Sequence, residues 1–352
     1  MRQLFRYDPV LGWRFIADLQ ARVPHPGGGY LLRTNADGFR TRHELDRASE
    51  LHERAAQPRV LLFGDSFTAA DGVSDGRRYG DVAERLLEGV DVVNLAIPGT
   101  GPDQQFLAWR ATCRPEPTDL VVVGVWVENI RRVTSRYRWF ADGAGHEQLF
   151  AKPWFELVDG VPEVRGTPPS PRPVDPTALR PADRRYIAQR ARRPWTRPVM
   201  AALTARPGLD RFEVRRRVLE PAQRLARYQP VPEYDDPDHP GWRLLAAILS
   251  AWADEAGRLL VLPLPFHHHV LGLADAAPYR RRFTELVAAH RAISLFDPLD
   301  ALQRLDRAER RQLYFAADGH PTPRWHRCVG EALTPLLRAE LAAARPNEAV
   351  AP

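Results

Sequence analysis

Short, almost wholly apolar runs are the feature that most constrains how this chain can fold. The runs "RVLLF", "DLVVVGVWV" and "RLLVLPLP" cover residues 59–63, 119–127 and 258–265. Each run is too short to cross a membrane as a helix, and segments with a helical spacing of apolar residues separate them. A strand that is apolar on both faces is typical of a parallel sheet buried between two layers of helices. We therefore predict an α/β fold with three layers, α/β/α, around a parallel sheet.

The other segments extend this pattern and divide the chain into parts. Further strands are predicted at 91–97 and 293–298, and amphipathic helices at 79–90, 103–113, 240–257, 279–292 and 324–344. A stretch rich in Pro and Arg interrupts the alternation, apart from a hairpin predicted around Asp159-Gly160. We expect an N-terminal extension (1–57) that packs on the domain, a main domain (58–130 and 241–343), an insertion that shapes the substrate site (131–240) and a tail (344–352).

The charge pattern does not indicate a nucleic-acid partner. The formal net charge is +6, and Lys152 is the only lysine, so arginine carries nearly all of the positive charge. Together with the many Ala and Pro residues, this usage indicates coding bias in a GC-rich genome. A nucleic-acid surface would cluster its cations among aromatic residues. We interpret the densest cationic clusters, 183–197 and 211–220, as solvated helix faces. An anionic ligand at these clusters stays open.

The sequence predicts a cytoplasmic protein without a membrane span. It has no run of 18 apolar residues, and its N-terminus lacks the apolar segment and small-residue cleavage site of a secretory signal. Cys113 and Cys328 are too few for a disulfide framework, which favours a reducing compartment. Whether these two cysteines pair, and whether the chain forms oligomers, stays open.

Residues that follow the predicted strands supply reactive groups. Ser66 follows the first strand, Gly99 in "NLAIPGTG" follows the second, and Asn129 in "VWVENI" follows the third. Asp318 and His320 stand in "ADGHPTP", just before the last helix. Ligands of such sheets bind beyond the carboxyl ends of the parallel strands, so we expect these groups to lie close together. Together they are the parts needed for acyl transfer through a serine nucleophile.

Each part has a chemical role in that reaction. The hydroxyl of Ser66 needs a base to remove its proton, and the imidazole of His320 is suited to this at neutral pH. The carboxylate of Asp318 would fix the imidazole tautomer and stabilise the cation that forms. Attack on a carbonyl creates an oxyanion, for which the backbone N–H groups of Ser66 and Gly99 and the side-chain amide of Asn129 would be the donors.

Structural interpretations of the same residues remain open. Gly-Asp-Ser on its own is consistent with a turn, and Gly99 with a turn glycine. Asn129 could be a plain loop residue, and Asp318 could cap the last helix. We expect Asp65 to bond the turn backbone and His326 to belong to the last helix. We expect "FHHHV", with His267 to His269, to form a loop at the pocket rim, and we predict no metal site because no other ligands stand at a useful spacing.

The order of these segments resembles that of the SGNH (GDSL-like) hydrolase family, over residues 58–130 and 241–343. "FGDSFT" is similar to the family's nucleophile block, "NLAIPGTGPDQ" to its glycine block, "VVVGVWVENIRR" to its asparagine block and "DGHPTPRWH" to its final block. The segments "YDPVLGWR" and "TNADGFR" are similar to those that precede the domain in a bacterial branch. The resemblance implies a flavodoxin-like sheet, a triad of Ser66, His320 and Asp318, and an oxyanion hole formed by Ser66, Gly99 and Asn129.

The sequence departs from the family pattern at three positions. Val127 stands where the family usually has a glycine, and Ile130 where an aspartate often follows the asparagine. Only Gly319 separates Asp318 from His320, where two residues are common. The shorter Asp-x-His block is similar to that of SGNH-like polysaccharide O-acetyltransferases, such as those acting on alginate.

From these observations we predict a serine esterase of the SGNH type. Its substrate would be a small-molecule or glycan ester with a short acyl chain of the O-acetyl type, and the reaction would need no cofactor. One alternative is an O-acyltransferase that moves the acyl group to a carbohydrate or natural-product hydroxyl with the same triad. A second alternative is a non-catalytic binding protein built on a decayed domain. The acyl chain and the alcohol moiety are open.

Overall fold

A parallel sheet of five strands forms the centre of the computed structural model. The structure describes residues 4–43, 57–112, 120–141, 146–187, 228–316 and 319–344. The strands are β1 (Phe5–Asp8), β2 (Gly12–Phe15), β3 (Gln20–Val23), β4 (Tyr30–Arg33), β5 (Arg59–Gly64), β6 (Asp91–Asn94), β7 (Leu120–Trp126), β8 (Tyr137–Ala141), β9 (Glu147–Ala151), β10 (Trp154–Val158), β11 (Val161–Arg165), β12 (Leu259–Leu264) and β13 (Ile293–Leu295). The central sheet has the order β13-β12-β7-β5-β6.

The order of this sheet creates the position for a binding site. Counted along the chain, its strands lie in the order 2-1-3-4-5, the flavodoxin-like arrangement. The chain moves from β5 outward to β6 and then crosses to β7 on the other side of β5, so the strand order reverses between β5 and β7. Loops that leave neighbouring strands in opposite directions open a crevice at such a point. The predicted strands at the five positions are confirmed.

Two layers of helices cover the sheet. The helices are α1 (Ser66–Ala69), α2 (Tyr79–Leu86), α3 (Pro102–Thr112), α4 (Ile130–Val133), α5 (Pro181–Arg184), α6 (Pro240–Ala256), α7 (His267–Val270), α8 (Ala277–Ala289), α9 (Leu299–Gln303), α10 (Arg307–Arg311) and α11 (Pro323–Ala344). Short 3₁₀ turns lie at Val127–Asn129 and Pro232–Tyr234. Helix α6 packs on α3 and α4, while α11 packs on α2 and α9. The predicted three-layer α/β/α fold is confirmed, and the five predicted helices are present.

Residues 4–43 contain two small hairpins, β1–β2 and β3–β4, which the sequence did not predict. Their strands have four residues each and contain no apolar run, so only the turns were visible in the pattern. Trp13 Nε1 donates to Pro98 O at 3.0 Å, and Gln104 Nε2 donates to Leu11 O at 2.7 Å. These bonds fasten the β1–β2 hairpin to the loop and helix that follow β6.

The described part of residues 131–240 also contains two hairpins. The hairpin β10–β11 turns at Asp159 and Gly160, as predicted, and both residues have a positive φ. The hairpin β8–β9 was not predicted, although Asp142-Gly143 between its strands is a turn signal of the same type. The predicted cationic helix faces lie largely outside the described residues, at 188–197 and 211–220. Residues 345–352 of the predicted tail also lie outside them.

No helix in the described part of the chain combines the length and the apolar character that a bilayer crossing requires.

Candidate active site

The nucleophile candidate Ser66 lies at the start of a sharp turn from strand to helix. The strand β5 ends at Gly64, and Asp65 caps the four-residue helix α1 by accepting a hydrogen bond from Phe67 N at 2.9 Å. A Cβ on Gly64 would lie 2.1 Å from Thr68 Oγ1, so only glycine lets the helix fold back so closely on the strand. The prediction that Asp65 bonds the turn backbone agrees with this geometry.

The imidazole of His320 lies within hydrogen-bonding distance of the Ser66 hydroxyl. His320 Nε2 is 3.0 Å from Ser66 Oγ, although 254 residues separate the two along the chain. Gly319, directly before the histidine, has a φ of +79°, a left-handed conformation that favours glycine. Asp318, the predicted third member of the triad, lies outside the described residues.

The glycine loop after β6 lies beside this pair. Gly99 has a φ of +84° and lines the same cavity as Ser66 and His320. Ile97 N donates to Gly64 O at 3.1 Å, which fastens the loop to the end of β5. Gly99 therefore lies in the same cavity as the predicted nucleophile and base, and its N–H group stays a predicted donor to the oxyanion.

Asn129 lies at the end of the 3₁₀ turn that follows β7, and its side chain is fully buried. Neither its Oδ1 nor its Nδ2 has a hydrogen-bond partner in the described part of the chain. Asn129 is not among the residues that line the cavity. The donation of this amide to an oxyanion stays a prediction.

One buried arginine links the loops of the site. Arg132 Nη1 donates to Asp65 Oδ2 at 2.7 Å and to Thr100 O at 2.9 Å. Its guanidinium carbon also lies 5.2 Å from the centre of the Trp126 ring. Arg132 thus connects the nucleophile turn, the glycine loop and the end of β7, a role that the sequence analysis missed.

The site opens into a cavity of about 670 Å³. Residues at the carboxyl ends of the central strands, with Ser66 and Trp126 among them, line this cavity together with His320, which precedes α11. The N-terminal hairpins and the β8–β9 hairpin supply its walls, with Leu4, Phe5, Phe15, Tyr30, Arg138, Trp139, Phe140 and Glu147. Tyr30 and Arg138 show that both added segments line the same cavity as the predicted nucleophile.

Charged groups of both signs line the cavity. Glu128 lies 3.4 Å from Arg131, and burial raises the pKa of its carboxyl despite the neighbouring arginines. Arg131 also bonds Glu233 through both oxygens of that carboxylate. Behind the wall, Lys152 and Asp103 form a fully buried ion pair. Burial lowers the pKa of Lys152 and raises that of Asp103, although each partner opposes the shift of the other.

The other histidines have structural surroundings. The prediction of a loop at "FHHHV" is wrong, because His267–Val270 form the short helix α7. His267 does line the cavity. His326 belongs to α11, as predicted, and is fully buried against the Tyr79 ring. Cys328 is a free thiol, while Cys113 lies outside the described residues, so the question of their pairing is not tested.

One group in the described part of the chain could hold a metal ion. Ligand atoms of His43, Glu84 and Asp91 lie within 4.8 Å of one another. His43 Nε2 is 2.6 Å from Glu84 Oε1, so these two side chains already satisfy each other by a hydrogen bond. None of the three lines the cavity, and the group has no role in the chemistry considered for Ser66.

Comparisons with known proteins give likenesses at low sequence identity. No protein-family profile and no curated protein matches the sequence. A member of the lipolytic protein G-D-S-L family from Veillonella parvula is 15% identical with a TM-score of 0.40, over 80% of this chain and 98% of its own. A lipase/acylhydrolase from Enterococcus faecalis is 13% identical with a TM-score of 0.40, over 83% of this chain and 100% of its own.

A third likeness is to a two-domain esterase active on acetylated mannans. It is 11% identical with a TM-score of 0.38, and the match covers 88% of this chain and 57% of that chain. None of these similarities assigns an activity or a substrate to this chain.

Proposed function

We propose that this protein is a serine esterase that cleaves a carboxylic ester through an acyl-enzyme on Ser66. The observation that carries the proposal is the 3.0 Å distance between His320 Nε2 and Ser66 Oγ at the base of the cavity. A hydroxyl and an imidazole at this separation form the nucleophile and base of acyl transfer. The substrates that we propose are small-molecule or glycan esters with a short acyl chain of the O-acetyl type.

The first step forms the acyl-enzyme. His320 accepts the proton of Ser66 as Oγ attacks the ester carbonyl, and the carbonyl π electrons move to oxygen. The N–H groups of Ser66 and Gly99 and the amide of Asn129 are the proposed donors to this oxyanion. Collapse of the intermediate breaks the bond to the alcohol oxygen, which receives its proton from His320.

The second step returns the enzyme to its starting state. Water gives a proton to His320 and attacks the acyl carbonyl, and the bond to Ser66 Oγ breaks with return of that proton. In this proposal Asp318 orients the imidazole and stabilises its cation. The two steps require neither a metal ion nor an organic cofactor.

Hydrolysis of 4-nitrophenyl acetate by purified protein tests the proposal. We expect Ser66→Ala to lower kcat/KM at least about 1,000-fold, because the residual rate comes only from binding and the oxyanion donors. A fluorophosphonate should add to wild type at Ser66 and not to Ser66→Ala, as measured by mass spectrometry. Ser294→Ala, on the edge strand β13, is the matched control and should behave as wild type. Equal turnover by Ser66→Ala and wild type would show that the proposal is wrong.

Product analysis separates the esterase from the acyltransferase alternative. The same acyl-enzyme reacts with water in the first case and with an acceptor hydroxyl in the second. We expect free acetate to be the main product with and without added saccharides. Acetylated saccharide as the main product would assign the alternative activity instead.

A further inference from the structure

Arg138 lies against the glycine loop of the candidate active site. It belongs to β8, where it pairs with Phe150 of β9, and its side chain lines the cavity with Ser66 and His320. A Cβ on Gly99 would lie 2.9 Å from Arg138 Nε, so the arginine occupies the space where a side chain at position 99 would stand. If Gly99 is an oxyanion donor, as the proposed function has it, the guanidinium lies close to the ester carbonyl.

Arg138 differs from the other arginines of the cavity in its bonding. Arg131 is bonded to Glu233, and Arg132 to Asp65 and Thr100. Among the residues that the structure describes, no hydrogen bond or ion pair joins the Arg138 side chain to a protein group. Asp65 and Glu128 attract it only from a distance.

The electrostatic surroundings of Arg138 are unfavourable in the free protein. Burial lowers the pKa of Arg138 to about 9, and the positive charge of Arg132 adds to this effect. The group is still a cation at neutral pH, so the fold holds a half-buried charge beside a second cation. An anion bound in the cavity would offset both the cost of burying this charge and its repulsion from Arg132.

The shape of the donor indicates which anion. A guanidinium presents five N–H donors in a planar fork, which matches the two oxygens of a carboxylate. Bonds of this kind are charge-assisted and about twice as strong as those between neutral groups. Phe15, Trp139 and Phe140 line the same cavity, and apolar surroundings of this kind strengthen such a bond.

We propose that Arg138 binds a carboxylate that the substrate carries close to the scissile ester, on its acyl or its alcohol half. This proposal rests on the proposed function and specifies its substrate class: esters with a negative charge beside the reacting carbonyl. Arg138 is then a specificity-determining residue, supplied by the β8–β9 hairpin rather than by the central sheet.

Binding to a protein that cannot turn over tests the anion site separately from catalysis. Monomethyl succinate and dimethyl succinate differ in one negative charge, and binding to Ser66→Ala can be followed by the fluorescence of Trp126 and Trp139 in the cavity. We expect the monoanion to bind at least about 10-fold more tightly than the neutral diester. Adding Arg138→Gln should remove this preference, whereas adding Arg136→Gln should keep it, because Arg136 is bonded to Glu156 outside the cavity.

Kinetics then show which half of the substrate carries the charge. The acyl arm compares 4-nitrophenyl succinate with its methyl ester, and the alcohol arm compares O-acetyl-lactate with its methyl ester. We expect wild type to prefer the charged substrate in one arm, and Arg138→Gln to reduce that ratio of kcat/KM by about 10- to 100-fold. Arg138→Lys should retain part of the ratio, and Arg136→Gln all of it.

Three results bear on the two proposals differently. No charge preference in binding or in either kinetic arm would overturn the carboxylate site. An equal loss on charged and neutral esters in Arg138→Gln would also overturn it, and would assign the guanidinium to the oxyanion. Charge-selective binding together with complete inertness toward esters would support the carboxylate site and contradict the proposed esterase.

Discussion

The buried carboxylate of Asp65 accepts a hydrogen bond from Arg132, with 2.7 Å between Oδ2 and Nη1. The other carboxylate oxygen of Asp65 accepts from Phe67 N, so both oxygens are in use at the turn that presents Ser66. Asp65 is fully buried and Arg132 nearly so. The position of the candidate nucleophile thus depends on an ion pair between the turn at Asp65 and helix α4, whose paired residues are 67 apart in sequence.

Removing one partner of this pair should destabilise the fold strongly. Arg132→Met leaves the charge of Asp65 buried without its partner, and we expect the free energy of unfolding to fall by about 3–5 kcal/mol in urea denaturation. Asp300→Asn is the control: Asp300 pairs with Arg280 at 2.7 Å, but its side chain is 69% exposed. Loss of that pair should cost less than about 1 kcal/mol. A cost for Arg132→Met as small as that of the control would contradict this role.

Gly99→Ala should damage the site and not only the backbone. The positive φ strains an alanine by about 1–2 kcal/mol, and its Cβ would also displace Arg138 from the cavity wall. We expect kcat on 4-nitrophenyl acetate to fall about 10-fold or more, because the oxyanion donors lose their alignment. Gly89→Ala has a similar φ of +67° and open space around the Cβ. It should cost stability alone, and an equal fall in kcat for both variants would refute the assignment of Gly99.

Two buried asparagines, one at the end of β6 and one in the turn after β7, should respond differently to substitution. Asn94 Nδ2 donates to Thr68 O at 3.0 Å and its Oδ1 accepts from Ala96 N at 3.1 Å, so Asn94→Ala should mainly lower stability. Asn129 makes no such bond within the described part of the chain. Asn129→Ala should therefore lower kcat about 100- to 1,000-fold with a smaller loss of stability. Thermal unfolding and esterase assays on both variants distinguish the two roles; an active Asn129→Ala would remove it from the oxyanion hole.

His326 should make the fold sensitive to mildly acidic pH. Burial lowers the pKa of His326 to about 3, whereas an unfolded histidine has a pKa of about 6.5. Between these values the unfolded state binds a proton that the folded state does not, so stability is complete above about pH 6.5 and falls as the pH drops. The contribution approaches about 1.4 kcal/mol per pH unit.

The variant His326→Gln isolates this contribution. We expect its free energy of unfolding to fall less steeply than that of wild type between pH 6.5 and pH 5, measured by urea denaturation. Above pH 7 the two slopes should coincide, which serves as the internal control. Burial also lowers the pKa of His269, to about 4, and this acts in the same direction in both proteins. Identical slopes over the whole range would show that His326 does not titrate in this way.

The strands of the central sheet and the loops after them were predictable because the signals are local. A run such as Leu120–Trp126 is apolar on both faces and can be satisfied only inside a layered sheet. Once the strands are parallel, their carboxyl ends share one edge, and Ser66, Gly99 and His320 come together there. The hairpins of 4–43 gave no such signal, because four-residue strands with mixed burial resemble loops.

The sequence by itself determined the layered α/β architecture and the edge at which the candidate site lies, since periodicity and strand direction follow from neighbouring residues. Only the tertiary structure decided which side chains complete that site. Arg132 and Arg138 are two of many arginines in the chain, and nothing local distinguishes them. Their roles depend on the groups that surround them in the fold. The buried carboxylate of Asp65 bonds Arg132, whereas no described group bonds the Arg138 side chain. Such pairings depend on contacts between distant segments, which local patterns do not encode.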